Sequence, residues 1–586
     1  MEIWDVLTLI CGLALFLFGM ELMGETLKKS AGNRLKIILG KMTSSKWRGF
    51  LLGLGVTAII QSSSATTVMV IGFVNSGTML LSRAVGVIMG ANVGTAVTAW
   101  LTGLSGLGDS GEAISSIIQW AKPSSWTPIL AFIGIGLYLF SKREKKRDVG
   151  MILLSFAVLM VGMDLMSSSV AGLKGSPEFH SILTMFENPI LGLLAGLVLT
   201  VIIQSSSASI GILQSVSTTG AISFGTAVPI IMGLNIGTCV TALISCIGAN
   251  KNGKRAAFIH LYFNIIGAAF WMAAFYILDA IFNFAVVDSS IGTMGIALVH
   301  TVFKILSVAL LAPVSGWLEK LANLTVKDSG KKDQKETLLD ERLISTPSFA
   351  VQRADEVTHL MAISSCHAMK NSLKLLSTYD SKLADSIRAE ETKVDEIEDS
   401  LGTYLVKVSS ANLSDEDARD ITKLLHLIGD FERISDHAVN IVESAEEMSD
   451  KEISFSEKAR AELMVMIAAL NEILDMACNA FINNDLALAA KIEPLEQTID
   501  MLRDKIKANH VRRLQKNECT IEHGFILSDI LTNCERVSDH CSNVASCVIE
   551  ISEYDALNMH EYIKNVKTNE EDFKKQFEEY SRKYAI

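Results

Sequence analysis

The chain has 586 residues, of which 49% are hydrophobic and only 20% are charged, and its formal net charge is −12. Residues 1–325 carry 20 Lys and Arg against 14 Asp and Glu, so the remaining residues carry 32 against 50. An apolar, mildly basic half followed by an acidic half predicts a membrane domain joined to a soluble one. The acidic half argues against nucleic-acid binding. The nine cysteines show no CxxC spacing, which indicates a reducing compartment rather than a disulfide framework.

Apolar stretches long enough, or nearly so, to cross a bilayer fill the first half of the chain. They lie at about 3–24, 79–105, 127–141, 149–170, 222–248, 256–281 and 292–316. The first stretch lacks a basic leader and a small-residue cleavage site, so we interpret it as a retained span rather than a signal peptide. Two further stretches, 46–76 and 188–219, are too long for one straight span and are interrupted by polar residues.

Both interrupted stretches contain a Gln-Ser-Ser-Ser run, at Gln61–Ser64 and again at Gln204–Ser207. Unsatisfied polar groups cost several kcal/mol in hydrocarbon, so polar clusters at membrane depth are tolerated where they face a cavity or a binding site. We therefore predict two re-entrant hairpins with these runs at their tips. The alternative, that the hydroxyls only allow close helix packing or bond back to their own helix, stays open.

The distribution of basic residues predicts the topology. With two re-entrant hairpins and an external N-terminus, the basic clusters at 28–48, 142–147 and 251–255 all fall on the inside. Single crossings by the interrupted stretches would place the first two clusters on opposite sides. The sequence thus predicts a multi-pass protein of the cell (inner) membrane, with the N-terminus outside and the C-terminal domain in the cytoplasm.

The two hairpins belong to an internal repeat with a constant offset of 143 residues, which also relates Gly90-Ala91-Asn92 to Gly233-Leu234-Asn235. Three spans separate equivalent points, so the second copy enters the membrane from the opposite side. This predicts an inverted-topology repeat, with a transporter binding site between the repeats near the midplane. We assign residues 1–145 to the first repeat, with hairpin 46–76, and residues 146–320 to the second, with hairpin 188–219, plus a final span.

The hairpin tips have the chemistry of a site for a small oxyanion. Each tip offers an amide and three hydroxyls, and the half-helix that starts there presents its N–H groups. The predicted anion ligands are Gln61, Ser62, Ser63, Ser64, Gln204, Ser205, Ser206 and Ser207. Hard oxygen ligands suited to Na⁺ are predicted at Thr66, Asn92, Thr95, Thr98, Ser209, Asn235, Thr238 and Thr241. The roles of Glu21, Asp164, His260, His300 and Lys304 stay open between function and packing.

Two QSSS hairpins, each followed by a G-x-N-x-G-T segment, resemble the Na⁺/phosphate cotransporter family (type II, with its bacterial members) over about residues 1–320. The resemblance implies inorganic phosphate as substrate and Na⁺ as coupling ion, with both QSSS runs lining the site. The second tip has Ser209-Ile210 where the first has Thr66-Thr67, so the ion ligands need not be symmetric. A phosphate exporter and a phosphate-sensing receptor remain alternatives. We expect no enzyme and no direct ATP drive, because the chain has no P-loop and the membrane half pairs no nucleophile with a base.

Residues 321–348 are predicted as a linker, residues 349–552 as a helical domain, and residues 553–586 as a charged tail. The helical domain repeats with an offset of 103, which relates Glu432 and Asp436 to Glu535 and Asp539 and predicts two three-helix bundles. The expected fold is therefore all-α throughout. Like charges spaced i, i+4 on a helix repel by a few tenths of a kcal/mol, and a shared cation would offset this.

The repeated E-x-x-x-D motifs resemble PhoU-type regulators, whose family pattern implies bound metal. The candidate ligands are Glu391, Asp395, Glu432 and Asp436 in the first bundle and Glu496, Asp500, Glu535 and Asp539 in the second. The ion is a divalent or transition metal that the sequence does not name. A solvated acidic face paired with Arg433 and Arg536 is the alternative. The predicted partners are inorganic phosphate and the lipid bilayer; a homodimer and a cytoplasmic signalling partner are open.

Overall fold

The computed structural model describes residues 3–42, 46–104, 123–171, 185–327, 338–553 and 570–586. Nearly all of these residues are helical and none of them forms a named strand, which confirms the all-α prediction. The chain divides into two compact units, Met1–Ala350 and Val351–Ile586. Each unit has its own buried apolar residues, as the change of composition along the chain predicts.

The first unit begins with a long helix and the first hairpin. Its helices are α1 (Ile3–Met42), α2 (Lys46–Ile60), α3 (Ser63–Asn75), α4 (Leu81–Gly94), α5 (Ala96–Gly103), α6 (Pro123–Phe140), α7 (Glu144–Ala171), α8 (Pro189–Ile203), α9 (Ser206–Ser217), α10 (Phe224–Gly237), α11 (Cys239–Ser245), α12 (Lys251–Phe282), α13 (Thr293–Leu311) and α14 (Ser315–Thr325). The stretches 46–76 and 188–219 thus correspond to the helix pairs α2–α3 and α8–α9. The apparent spans 79–105 and 222–248 are instead each interrupted, at Thr95 and Thr238.

Equivalent helix pairs of the two repeats cross through glycines. A Cβ atom at Gly53 would lie 2.0 Å from the Val87 carbonyl oxygen, where α2 crosses α4. At the equivalent Gly196 it would lie 2.1 Å from the Ile230 carbonyl oxygen, where α8 crosses α10. Only glycine allows backbones to approach this closely. The constant offset in the sequence therefore corresponds to a repeated packing geometry.

The equivalent helices α1 and α7 pack against each other in an antiparallel direction. A Cβ atom at Gly12 would meet the backbone of Gly162 and Met166, whereas one at Gly19 would meet Ser155 and Leu159. Contacts thus run backwards along α7 as they run forwards along α1. Because α1 and α7 occupy equivalent places in the repeats, this crossing has local two-fold symmetry.

Part of the predicted linker belongs to the first unit. Residues 338–346, here called the docking segment, contain a 3₁₀-helix (Glu341–Ser345) whose Leu343 is fully buried. A Cβ atom at Gly72 of α3 would lie 3.0 Å from the Leu343 side chain. Apolar burial and hydrogen bonds hold the docking segment, and residues 321–325 belong to α14. Residues 328–337 of the predicted linker lie outside the described residues.

The second unit consists of two related three-helix bundles and an added C-terminal helix. The helices are α15 (Pro347–Leu375), α16 (Ser381–Ser409), α17 (Asp415–Asp450), α18 (Glu457–Asn483), α19 (Leu486–Ala489), α20 (Ile492–Gln515), α21 (Ile521–Glu553) and α22 (Glu570–Lys583). Helices α17 and α21, which carry the repeated motif, pack against each other, and α22 packs on α20. Of the predicted tail, residues 554–569 lie outside the described residues.

Seven helical segments in the described part of the chain are long and apolar enough to cross a membrane. Six lie in the first unit: Ile3–Ser30, Leu81–Gly103, Glu144–Ala171, Phe224–Ser245, Lys251–Phe282 and Thr293–Leu311. The seventh is α18, which packs against α20 and α21 in the second unit. Its apolar residues therefore form the core of a helical bundle.

Candidate functional site

Each hairpin tip turns at a glutamine in the left-handed backbone conformation. Gln61 has φ of 60° and Gln204 has φ of 56°. The backbone N–H of Gln61 donates to the Thr57 carbonyl, and the backbone N–H of Gln204 donates to the Thr200 carbonyl, both at 2.7 Å. A left-handed conformation costs a non-glycine residue roughly 1–2 kcal/mol. Both tips therefore contain the same strained turn, and strain of this kind is typical of functional sites.

A serine after each glutamine caps the returning half-helix. The hydroxyl oxygen of Ser62 accepts a hydrogen bond from the Ala65 amide, and that of Ser205 accepts one from the Ala208 amide, both at 3.2 Å. Such a cap satisfies one of the first N–H groups of a helix and leaves others available. The partial positive charge of each half-helix thus lies at the tip, where an anion would be stabilised.

The two tips line one cavity of about 420 Å³, together with α1. Its lining residues are Leu17, Met20, Glu21, Gly24, Glu25, Lys28, Ile60, Gln61, Ser62, Ser63, Ser64, Ala65, Ile203, Gln204, Ser205, Ser206 and Ser207. The structure therefore brings together all the predicted anion ligands, although they are separated by 143 positions in the sequence. The cavity has the size of a typical small-ligand site.

The two glutamines differ in their surroundings. Gln61 is 8% exposed, accepts a hydrogen bond of 2.7 Å from the Thr98 hydroxyl and donates to the Ala58 carbonyl. Gln204 is exposed. The side-chain amide of Gln61 is thus held by hydrogen bonds within the first repeat, whereas the side chain of Gln204 is accessible to a ligand.

Helix α1 contributes charged side chains that the sequence analysis did not assign to the site. Glu21, Glu25 and Lys28 line the cavity, and Lys28 is the one cation among its lining residues in the described part of the chain. The sequence leaves the role of Glu21 open and does not single out Glu25 or Lys28 as ligands. Residues 21, 25 and 28 are spaced i, i+4 and i+7, and this helical spacing is the signal in the sequence that places the three side chains on one face.

The predicted Na⁺ ligands separate into two groups. Three lie beside a tip: Thr66 donates to the Ser62 carbonyl at 3.0 Å, Ser209 donates to the Ser205 carbonyl at 2.8 Å, and Thr98 bonds to Gln61. The other five donate to carbonyls three or four residues earlier in the chain, as in the helix-bonding alternative; they are Asn92, Thr95, Asn235, Thr238 and Thr241. A donating hydroxyl still has lone pairs for a cation.

Other buried polar residues of the membrane unit lie away from this cavity. His260, His300 and Lys304 are buried and are not among its lining residues. The ring of His300 contacts the side chain of Asn235 at 3.3 Å. These residues do not contribute to the paired-tip cavity.

Five carboxylates lie together in the first bundle of the second unit. Three belong to α16 and two to α17: Glu391, Asp395, Glu398, Glu432 and Asp436. Burial, and then the charge of Asp436, raises the pKa of Glu432 to about 7. Burial also raises the pKa of Glu391 and of Glu398, with neighbouring carboxylates adding to the effect.

In the second bundle, Glu496, Asp500, Glu535 and Asp539 also lie close together, but an arginine lies among them. The guanidinium of Arg503 is 2.7 Å from Glu535 and 3.2 Å from Asp500. Among the described residues, no three His, Cys, Asp or Glu side chains are arranged to hold a metal ion. The first cluster offers oxygen donors, the kind that hard divalent ions take, whereas the guanidinium of Arg503 lies within the second.

A membrane unit of two repeats, whose broken hairpins meet at one cavity, has the architecture of a secondary transporter. Residues 15–168 and 162–299 each match the Na⁺/Pi-cotransporter family, and residues 358–445 and 463–548 each match the PhoU domain. The membrane unit of the chain therefore belongs to the Na⁺/Pi-cotransporter family, and a tandem PhoU domain follows it. This confirms both resemblances and defines a phosphate transporter family member rather than an enzyme.

The relatives match different shares of this chain. YjbB of Salmonella typhimurium, named as a candidate inorganic phosphate export protein, is 24% identical over 94% of this chain and 98% of its own. YqeW of Bacillus subtilis is 28% identical over 53% of this chain and 95% of its own. Human sodium-dependent phosphate transport protein 2B is 34% identical over 25% of this chain and 21% of its own.

Proposed function

We propose that this protein is a Na⁺-coupled transporter of inorganic phosphate, with phosphate bound between the QSSS tips. The observation that carries the proposal is that both tips, with the same strained glutamine and serine cap, line a single cavity. Hydroxyls, amides and half-helix N-termini offer many donors to one oxyanion. Neutral donors stabilise the anion without holding it so strongly that it could not leave.

Alternating access is the mechanism that this architecture supports. The antiparallel crossing of α1 and α7 is what an inverted-topology repeat requires, and a site between such repeats can be exposed to either side in turn. The basic clusters support an inner-membrane orientation with the N-terminus outside and the PhoU domain in the cytoplasm.

Sodium coupling is supported by the oxygen-rich surroundings of the first tip and by the names of the family and of the human relative. Thr66, Thr98 and the carbonyls near the broken helix are the ligands we propose. Cations bound there would offset the carboxylates Glu21 and Glu25 beside the phosphate. The name of YjbB supports export, so the direction depends on which gradient the cell presents.

The PhoU domain is proposed to regulate transport and to bind metal through the carboxylates of its first bundle. A cytoplasmic partner that reads its state is consistent with this role. If the chain were only a phosphate receptor, the same cavity would bind phosphate without moving it.

Flux of labelled phosphate in proteoliposomes with imposed Na⁺ gradients of either sign tests the transport proposal. We expect gradient-dependent flux, and Ser206→Ala or Gln61→Ala should lower it at least tenfold. Ser217→Ala is the matched control. Ser217 lies on the same helix α9, but its hydroxyl donates to the Gln214 carbonyl and it is not among the residues that line the cavity. Absence of flux with intact phosphate binding would favour the receptor. Unchanged flux in both variants would refute the site.

A further inference from the structure

The two carboxylate clusters of the PhoU domain differ at one position. An offset of 105 relates Glu391 and Asp395 on α16 to Glu496 and Asp500 on α20. The same offset relates Arg503 to Glu398, so the position of a carboxylate in the first cluster is taken by an arginine in the second. The second bundle thus carries a fixed positive charge where the first carries another negative one.

Arg503 is held inside its cluster by carboxylates from two helices. Its guanidinium contacts Glu535 on α21 at 2.7 Å, and on α20 it contacts Asp500 at 3.2 Å and Asp504 at 3.0 Å. The Arg503 side chain is only 20% exposed. A guanidinium remains charged at any physiological pH and its planar donors match carboxylate oxygens, so it is a permanent counter-ion.

The first cluster has no equivalent internal cation among the described residues. Its nearest guanidinium is Arg433, which is 63% exposed and lies 3.5 Å from Glu432 and 4.0 Å from Asp436. Arg433 therefore lies at the rim of the cluster. The carboxylates of α16 and α17 face one another in this cluster.

We propose that Arg503 replaces the metal ion in the second bundle, so that only the first bundle of this PhoU domain can depend on metal. A divalent ion at the second cluster would have to displace the guanidinium from Glu535 and Asp500 or lie beside a like charge. The inference rests on the proposed metal binding of the first bundle, but its central claim concerns the second.

Binding of Mn²⁺ to the full chain in detergent tests this inference, because Mn²⁺ accepts oxygen ligands and its free and bound forms are distinguished by electron paramagnetic resonance. After chelator treatment and dialysis against Mn²⁺, Arg503→Glu should bind one Mn²⁺ more than the wild type. Adding Glu535→Gln to Arg503→Glu should remove that gain. The reciprocal change Glu398→Arg should abolish binding at the first bundle.

Paired variants distinguish the bundles in the wild-type background. Glu432→Gln with Asp436→Asn should remove the bound Mn²⁺, whereas Glu535→Gln with Asp539→Asn should leave it unchanged. Circular dichroism confirms that each variant remains folded. The inference fails if the second pair lowers Mn²⁺ binding or if Arg503→Glu adds none. Transport is not part of the readout, so a failure of the phosphate proposal would be seen separately.

Discussion

Among the charged residues that line the cavity between the two tips, Lys28 is the one whose effect is easiest to isolate. It is the one cation among the lining residues of the described chain, and Glu21 and Glu25 lie near it. We expect Lys28→Gln to raise the KM for phosphate roughly three- to tenfold, which corresponds to about 0.7–1.4 kcal/mol. Lys28→Arg should restore most of the affinity, because it keeps the charge. An unchanged KM in Lys28→Gln would show that the tips alone determine binding.

Glu432 predicts a pH dependence of the metal-free PhoU domain. Its pKa is raised from 4.5 to about 7 by burial and by Asp436, so the folded state favours the protonated form. This contribution to the free energy of unfolding is fully present below pH 4.5 and is lost as the pH rises through about 7. In chelator we expect the Tm of this unit, followed by circular dichroism, to fall between these pH values. Glu432→Gln should flatten the decrease; an unchanged slope would contradict the assignment.

At the scale of elements, the docking segment connects the first hairpin to the second repeat. Asn75 at the end of α3 donates to Asp340 at 2.6 Å and accepts from the Asn250 amide at 2.6 Å. Arg342 donates to the Ser245 and Ile247 carbonyls at the end of α11. Helix α3 begins at the cavity between the two tips and therefore ends against the docking segment, which precedes the PhoU domain in the chain.

Burying a charge at Leu343 should release this segment. Leu343 is fully buried against Gly72, and replacing a buried leucine typically costs 2–5 kcal/mol, so we expect Leu343→Asp to lower the Tm of the membrane unit. All seven tryptophans lie in residues 1–350, so intrinsic fluorescence reports on this unit. Ser345→Asp is the control, since Ser345 is exposed in the same 3₁₀-helix. Equal Tm values for the two variants would show that the segment contributes little.

At the scale of the whole molecule, the two units are expected to fold independently. Each has its own buried apolar residues, and YqeW matches only 53% of this chain although the match covers 95% of its own length. Residues 351–586 expressed alone should be soluble and helical, and residues 1–350 should retain phosphate flux in proteoliposomes. A fragment ending at residue 327 lacks the docking segment and should melt at a lower temperature than 1–350. Aggregation of both 1–350 and 351–586 would contradict the division.

The sequence by itself determined the composition of the two units, both internal repeats and the residues of the QSSS tips. These properties follow from local periodicity and from constant offsets, which need no three-dimensional information. The left-handed conformation of Gln61 and Gln204 was not predictable, because glutamine rarely adopts it and only the surrounding packing stabilises it. The position of Lys28 in the cavity lining and the burial of Leu343 against Gly72 were not predictable either, because both depend on contacts between segments that are distant in the sequence.

Tertiary structure also decided what the repeated carboxylates can do. The E-x-x-x-D motifs are the same in both bundles, and their resemblance to PhoU-type regulators implies metal at both. Arg503 lies on a different helix from Glu535, so its role as a counter-ion exists only once α20 packs against α21. Electrostatic interactions depend on distance in space rather than in sequence. For this reason the sequence located the candidate ligands, and the packing of the helices distinguished the two clusters.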